Sequence, residues 1–195
     1  MALALGLGNP GPRFSGTRHN VGWRVLETIE RRSTLEPGES AATYRTVRAT
    51  RDGRTLDLMY PLTFMNASGE ALLAWRAGHE LDPAALLVVA DDVYLPVGTL
   101  RLRERGSSGG HLGLESIEAA LGSRDYSRLR VGVGYAGADQ LREHVLDGFE
   151  EEEESAVAEA VALAADAVEC WVGEGMTAAM NRFNRKLRTE EGPES

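Results

Sequence analysis

The chain has 195 residues, 43% of them hydrophobic, which fits a single domain with a sizeable core. Its formal net charge of −9 excludes a surface that is basic throughout, so any anionic partner needs a local basic patch. A lone cysteine, Cys170, excludes an intrachain disulfide. No basic leader with an apolar segment opens the chain, and no apolar run approaches the ~18 residues of a membrane span, so a cytoplasmic protein is expected.

Residues 2–7 are a short apolar run before glycines and predict a buried strand. Val21, Val25, Leu26 and Ile29 recur at helical spacing and predict a helix over 19–32. Two β-like runs, 43–50 and 55–59, flank Asp52-Gly53, a hairpin signal. A helix is expected over 66–78. Residues 86–90 are a wholly apolar strand running into Asp91-Asp92. In the strand over 99–103, Leu100 and Leu102 alternate with Arg101 and Arg103. A Gly/Ser loop at 106–110 leads to a helix over 111–121, and a strand follows at 129–133. Val157, Val161, Ala164, Val168 and Trp171 mark an amphipathic helix, with the acidic run 150–154 at its N-terminus, where the helix dipole favours acids. A short helix over 176–187 completes a domain expected to span 1–187, and 188–195 read as a disordered tail. The alternation of strands and helices gives an α/β class.

Gly6, Gly8 and Gly11 fit the spacing G-x-G-x-x-G, but the context for a dinucleotide fails. That motif must open directly into a helix. Here Pro10-Gly11-Pro12 follows, and the helical period starts only near Asn20. The segment reads instead as a long loop carrying polar side chains, among them Asn9 and His19, at the C-terminal end of a strand. A histidine at a helix start is more often a cap or a packing residue. Beside a carboxylate such as Asp91 it can serve as a base, with the acid fixing its tautomer. An ordinary turn acid is the competing reading of Asp91, and a helix N-cap that of Asn66. Gly106-Ser107-Ser108-Gly109-Gly110 fits G-x-S-x-G formally, but Glu104-Arg105 separate it from the strand, and so pliant a loop cannot hold a strained nucleophile elbow.

Taken together, the segments Gly6–Gly11 with Thr17-Arg18-His19-Asn20-Val21-Gly22, Pro61-Leu62-Thr63-Phe64-Met65-Asn66, Asp91, Gly109-Gly110-His111-Leu112-Gly113-Leu114 and Arg128–Gly134 resemble bacterial peptidyl-tRNA hydrolases over residues 2–187. The resemblance implies a monomeric α/β fold, a mixed twisted sheet between helices, and cleavage of the ester joining a peptide to the 3′ ribose of tRNA. It implies no cofactor and no metal. His19 matches the family's base and Asp91 the acid that orients it. Asn9 matches an amide near the reacting ester, and Asn66 one that holds the peptide or the terminal adenosine. Phe14 and Leu112 fall at further substrate-binding positions. Arg101, Arg103 and Arg130 match positions near the 5′-phosphate and acceptor stem, and residues 149–158 a lid over the peptide channel. Four positions depart from the family pattern: Leu112 stands where asparagine is usual, Glu115 where lysine is common, Phe14 for a tyrosine, and Ala90 for a histidine. Leucine can neither donate nor accept, so loss of that amide predicts a slower reaction unless another group substitutes. The alternative is a tRNA- or RNA-binding protein of the same fold with weak or lost hydrolase activity. An esterase for small acyl compounds would keep the base but not the arginines.

Overall fold

The computed structural model describes residues 2–184 except 136, and only the backbone of 138. The expected tail, and the last residues of the expected final helix, lie outside these. Seven strands form one mixed sheet in the order β2-β3-β4-β1-β5-β7-β6. They are β1 (Leu3–Gly6), β2 (Thr34–Ser40), β3 (Tyr44–Arg51), β4 (Arg54–Pro61), β5 (Leu86–Asp92), β6 (Leu100–Arg103) and β7 (Ser127–Gly132). The central strands β4, β1, β5 and β7 are parallel, while β2, β3 and β6 run antiparallel to their neighbours.

The wholly apolar β5 is buried along its length, as a strand covered on both faces must be. Successive side chains pass to opposite faces of the sheet and so divide the core in two. Ala4, Leu58, Leu87, Val89, Leu129 and Val131 pack against α1 (Val21–Arg31), α5 (Glu154–Glu174) and α6 (Met176–Phe183). Leu3, Leu5, Met59, Leu86, Val88 and Ala90 pack against α2 (Ser68–Arg76) and α3 (Leu112–Leu121). Cys170 is 5% exposed within the first of these cores, so it serves as packing. Asp52 and Gly53 both take positive φ, 51° and 74°, and close the β3–β4 hairpin as a two-residue turn.

Two elements differ from the sequence reading. β2 is an added edge strand, exposed throughout, which forms by pairing with β3. α4 (Leu141–Leu146) is a short helix where none was expected. The acidic run does lead into α5, and Glu153 makes a partly buried link there to Arg18, at 2.6 Å. Arg18 also donates to the Val133 carbonyl at 2.8 Å and lies over the Phe149 ring at 4.7 Å, so it ties the start of α1 to the segment before α5. The other edge strand, β6, is blunted by Asn184, whose amide bonds both backbone groups of Leu102 at 2.6 and 3.0 Å.

Gly8 of the opening loop and Gly22 of α1 serve close packing, whereas Gly11 has open space around it and takes a positive φ of 102°. A Cβ on Gly8 would fall 2.6 Å from the Trp23 ring, and one on Gly22 would fall 2.6 Å from the carbonyl oxygens of both Leu7 and Val89. Helix α1 therefore lies directly on the ends of β1 and β5. Because the atoms met at Gly22 are backbone, Gly22→Ala should destabilise the fold by about 1–3 kcal/mol, measured by urea unfolding.

Candidate active site

Three adjacent parallel strands each deliver polar groups at their C-terminal ends, where open α/β sheets place ligands. Asn9 follows β1, Asn66 follows β4, and Asp91 ends β5. Asn9, Phe14, His19, Asn66, Asp91 and Leu112 all line one groove of about 720 Å³, and Arg130 reaches it from β7. Leu141, Arg142, Val145 and Leu146 of α4 close its far side. The lid expected at 149–158 contributes no lining residue. Its Phe149 packs instead on the core behind the sheet, beneath Arg18 and Arg24.

His19 sits in the 3₁₀ turn Arg18–Asn20 ahead of α1, and its Nδ1 lies 2.8 Å from Asp91 Oδ1. The sequence reading left His111 without a role, and the structure gives it one. His111 Nε2 lies 2.8 Å from the same Asp91 oxygen. Its Nδ1 accepts from the Gly113 and Leu114 N–H groups, at 3.1 and 3.3 Å, so it caps α3. These bonds assign the tautomers. His111 carries its proton on Nε2 and donates it to Asp91. His19 donates from Nδ1, which leaves its Nε2 without a partner among the described residues, in a side chain that lines the groove. The two rings are tilted, with centroids 5.1 Å apart.

Asp91 is 1% exposed. Burial alone would push its carboxyl pKa up; the attraction of His19 and His111 and their two hydrogen bonds outweigh this and hold it well below the usual carboxylate range. For His19, burial alone would lower the pKa. The adjacent Asp91 charge and its hydrogen bond outweigh burial and raise it above 6.5. Protonated His19 therefore adds stability that is fully present below pH 6.5 and is lost as pH rises through the folded-state value. Among the described residues, His19, Asp91 and His111 are also a group that could hold a metal ion. As arranged, both imidazoles donate to the carboxylate, and a metal would have to replace those two protons.

A second network fixes Asn9. Its backbone N–H donates to Asn20 Oδ1, and Asn20 Nδ2 donates to its carbonyl, each at 2.9 Å. Its side-chain Oδ1 accepts from the Met65 N–H at 2.8 Å. That acceptor assigns the flip of the amide, so Nδ2 is the group left over beside the groove. Asn66 makes no helix cap and is exposed on the groove, contrary to the capping alternative.

The loop 106–110 is held firmly, unlike the pliant loop expected. Arg128, 1% exposed, donates to the carbonyls of Ser107 and Arg124, and Arg130 donates to the carbonyls of Ser107 and Ser108 and to Asp92. Ser108 Oγ donates to the Glu115 carboxylate at 3.2 Å and not to a histidine, so it lacks the Ser–His pair of a serine hydrolase. Arg101 and Arg103 lie on β6, off the groove, exposed and without an ion pair among the described residues.

The family model described as Peptidyl-tRNA hydrolase matches residues 3–191. The chain belongs to the peptidyl-tRNA hydrolase family. Proteins named peptidyl-tRNA hydrolase from Chloroflexus aggregans and Syntrophomonas wolfei are 46% and 43% identical to it, over 94% of this chain and 99% and 100% of theirs. The crystal structure of peptidyl-tRNA hydrolase from Acinetobacter baumannii superposes with a TM-score of 0.88 at 30% identity, covering 94% of each chain. The fold class and the family expected from the motifs are therefore as found. Peptidyl-tRNA hydrolases matching nearly end to end at this identity also make the chain an enzyme of this kind.

The electrostatics of the pair give a direct test. In an NMR titration His19 should titrate above 6.5 in the wild type. In Asp91→Asn the opposing charge is gone and burial remains, so the His19 value should fall below that of the wild type.

Proposed function

We propose that the groove takes the 3′ end of a peptidyl-tRNA with its ester carbonyl between His19 and Asn9. The observation that carries this reading is the 2.8 Å His19–Asp91 contact, which leaves His19 Nε2, like Asn9 Nδ2 on the same groove, without a partner among the described residues. His19 Nε2 takes a proton from a water molecule as the water oxygen attacks the carbonyl carbon. The carbonyl oxygen becomes an oxyanion, to which Asn9 Nδ2 donates; one such donor is worth about 3 kcal/mol in hydrolases. The tetrahedral intermediate then collapses, the carbon–oxygen bond to the ribose breaks, and the imidazolium returns its proton to the 3′ oxygen. The products are free tRNA and a peptide carboxylic acid, which releases its proton to water to become the carboxylate. Asp91 acts through His19 by holding its tautomer and stabilising the imidazolium. Asn66, exposed on the same groove, holds the peptide or the terminal adenosine.

The tRNA body is assigned to the β6 edge. Arg101 and Arg103 point from one face of the strand, exposed and uncommitted, into an otherwise acidic protein. Such forks suit phosphate. Arg130 lies opposite Arg101 in the ladder, but its donors already hold the 107–108 loop. It supplies charge and position, and the direct phosphate contacts fall to the other two. The protein acts as a cytoplasmic monomer, with residues 1–187 as one domain. A second reading, tRNA binding without turnover, is motivated by Leu112, which is 55% exposed on the groove and offers no side-chain donor.

Release of peptide from N-acyl-aminoacyl-tRNA separates these readings. Turnover by the wild type, with a fall of about 10²–10⁴-fold in His19→Ala, is expected for hydrolysis. Binding with no turnover would favour the second reading. The rate should also rise with pH as His19 loses its proton, with the midpoint above 6.5. Arg101→Glu with Arg103→Glu should raise KM for tRNA substrates and flatten their salt dependence by about 1–2 units of log–log slope, leaving small esters unaffected.

A further inference from the structure

Six large hydrophobic side chains are exposed among the described residues, and three of them, Phe64, Tyr94 and Leu112, line this one groove. Scattered singly they would need no explanation; gathered in a concave site they mark a binding surface. Two of the three flank the reacting groups. Phe64 precedes Met65, whose N–H is held by Asn9. Leu112 follows His111, which is bonded to Asp91. The two segments are pressed together, because a Cβ on Gly113 would lie 2.5 Å from the Met65 sulfur. Phe14 extends the wall by meeting Phe64 edge-on, with ring centroids 6.3 Å apart. Arg13 lies over the outer ring at 5.0 Å.

We propose that Phe64 and Leu112 form a subsite for the side chain of the amino acid esterified to tRNA, and that Leu112 makes this chain favour a large apolar residue there. The proposal rests on the hydrolase reading above. A carbonyl within reach of both Asn9 Nδ2 and a water on His19 has its α-carbon one bond away. The substituent on that carbon is thus the part of the substrate nearest the walls beside those residues. The two segments that carry these side chains, Phe64–Asn66 and Gly110–Leu114, hold no arginine or lysine to bind a phosphate; the arginines that line the groove, Arg13, Arg130 and Arg142, come from other segments. An adenine edge would lose water against Leu112 and gain no hydrogen bond, and so would a polar side chain. An apolar side chain gains contact on both sides.

The test is kcat/KM for N-acetyl-leucyl and N-acetyl-glycyl esters on the same tRNA body, each corrected for its rate of hydroxide hydrolysis. The wild type should prefer the leucyl ester by about 10-fold or more. Leu112→Asn should shrink that preference several-fold, and Leu112→Met should keep it. A wild-type ratio near one overturns the proposal. So does a Leu112→Asn variant that changes both substrates equally, which would place Leu112 at the carbonyl instead. Failure to cleave either ester would count against the hydrolase reading alone. The subsite is then read from binding of amide-linked, non-cleavable leucyl and glycyl analogues: tighter leucyl binding that Leu112→Asn abolishes supports it, and equal binding overturns it.

Discussion

One oxygen of Asp91 organises the site. Buried near the end of β5, it accepts from two imidazoles at 2.8 Å, and each bond reaches a different part of the chain. Through His19 it fixes the turn that starts α1. Through His111 it fixes the turn that starts α3, because the other nitrogen of that ring caps the helix. A carboxylate that has lost its water must find such donors, since an unpaired buried charge is costly. The same requirement orients the His19 ring, so the stability of the carboxylate and the placement of the imidazole at the groove arise from the same contacts.

Backbone carbonyls near the site are held by guanidinium groups rather than by regular ladders. Arg18 binds the Val133 carbonyl, Arg128 those of Ser107 and Arg124, and Arg130 those of Ser107 and Ser108. Loops at a sheet end have few backbone partners, and a planar fork with five donors satisfies several carbonyls at once. This explains how a Gly/Ser loop beside the dyad keeps a fixed shape. Arg18, Arg128 and Arg130 are thereby committed to shaping the site, whereas Arg101 and Arg103 on β6 stay exposed.

Leu112 gives the groove its individual chemistry. It begins α3 directly after the histidine that caps it, so its side chain is delivered to the groove by the same turn that satisfies Asp91. A residue in that place can alter what the groove accepts without disturbing the core, because it is half exposed and packs no helix face.

Much of this was legible in the sequence because it depends on local order. The all-apolar run before Asp91-Asp92 could only be a covered strand, Asp52-Gly53 could only turn a hairpin tightly, and the motifs around Asn9, His19, Asn66 and Gly110 carried the family. β2 was not legible, since TLEPGES has neither alternation nor strong strand formers and becomes a strand only by hydrogen bonding to β3. Nor were the partners of His111 and Arg130. Both side chains could serve a ligand or the fold, and the choice depends on which groups stand within 3 Å, often tens of residues away in sequence. The sequence by itself determined most of the elements and the family, and singled out His19 and Asp91, because period, turn chemistry and residue type are local properties. Only the tertiary structure decided that two histidines share one carboxylate oxygen, that Arg130 is committed to a loop, and that Leu112 and Phe64 line the same groove, because hydrogen-bond valence and burial are settled by neighbours that the folded chain brings together.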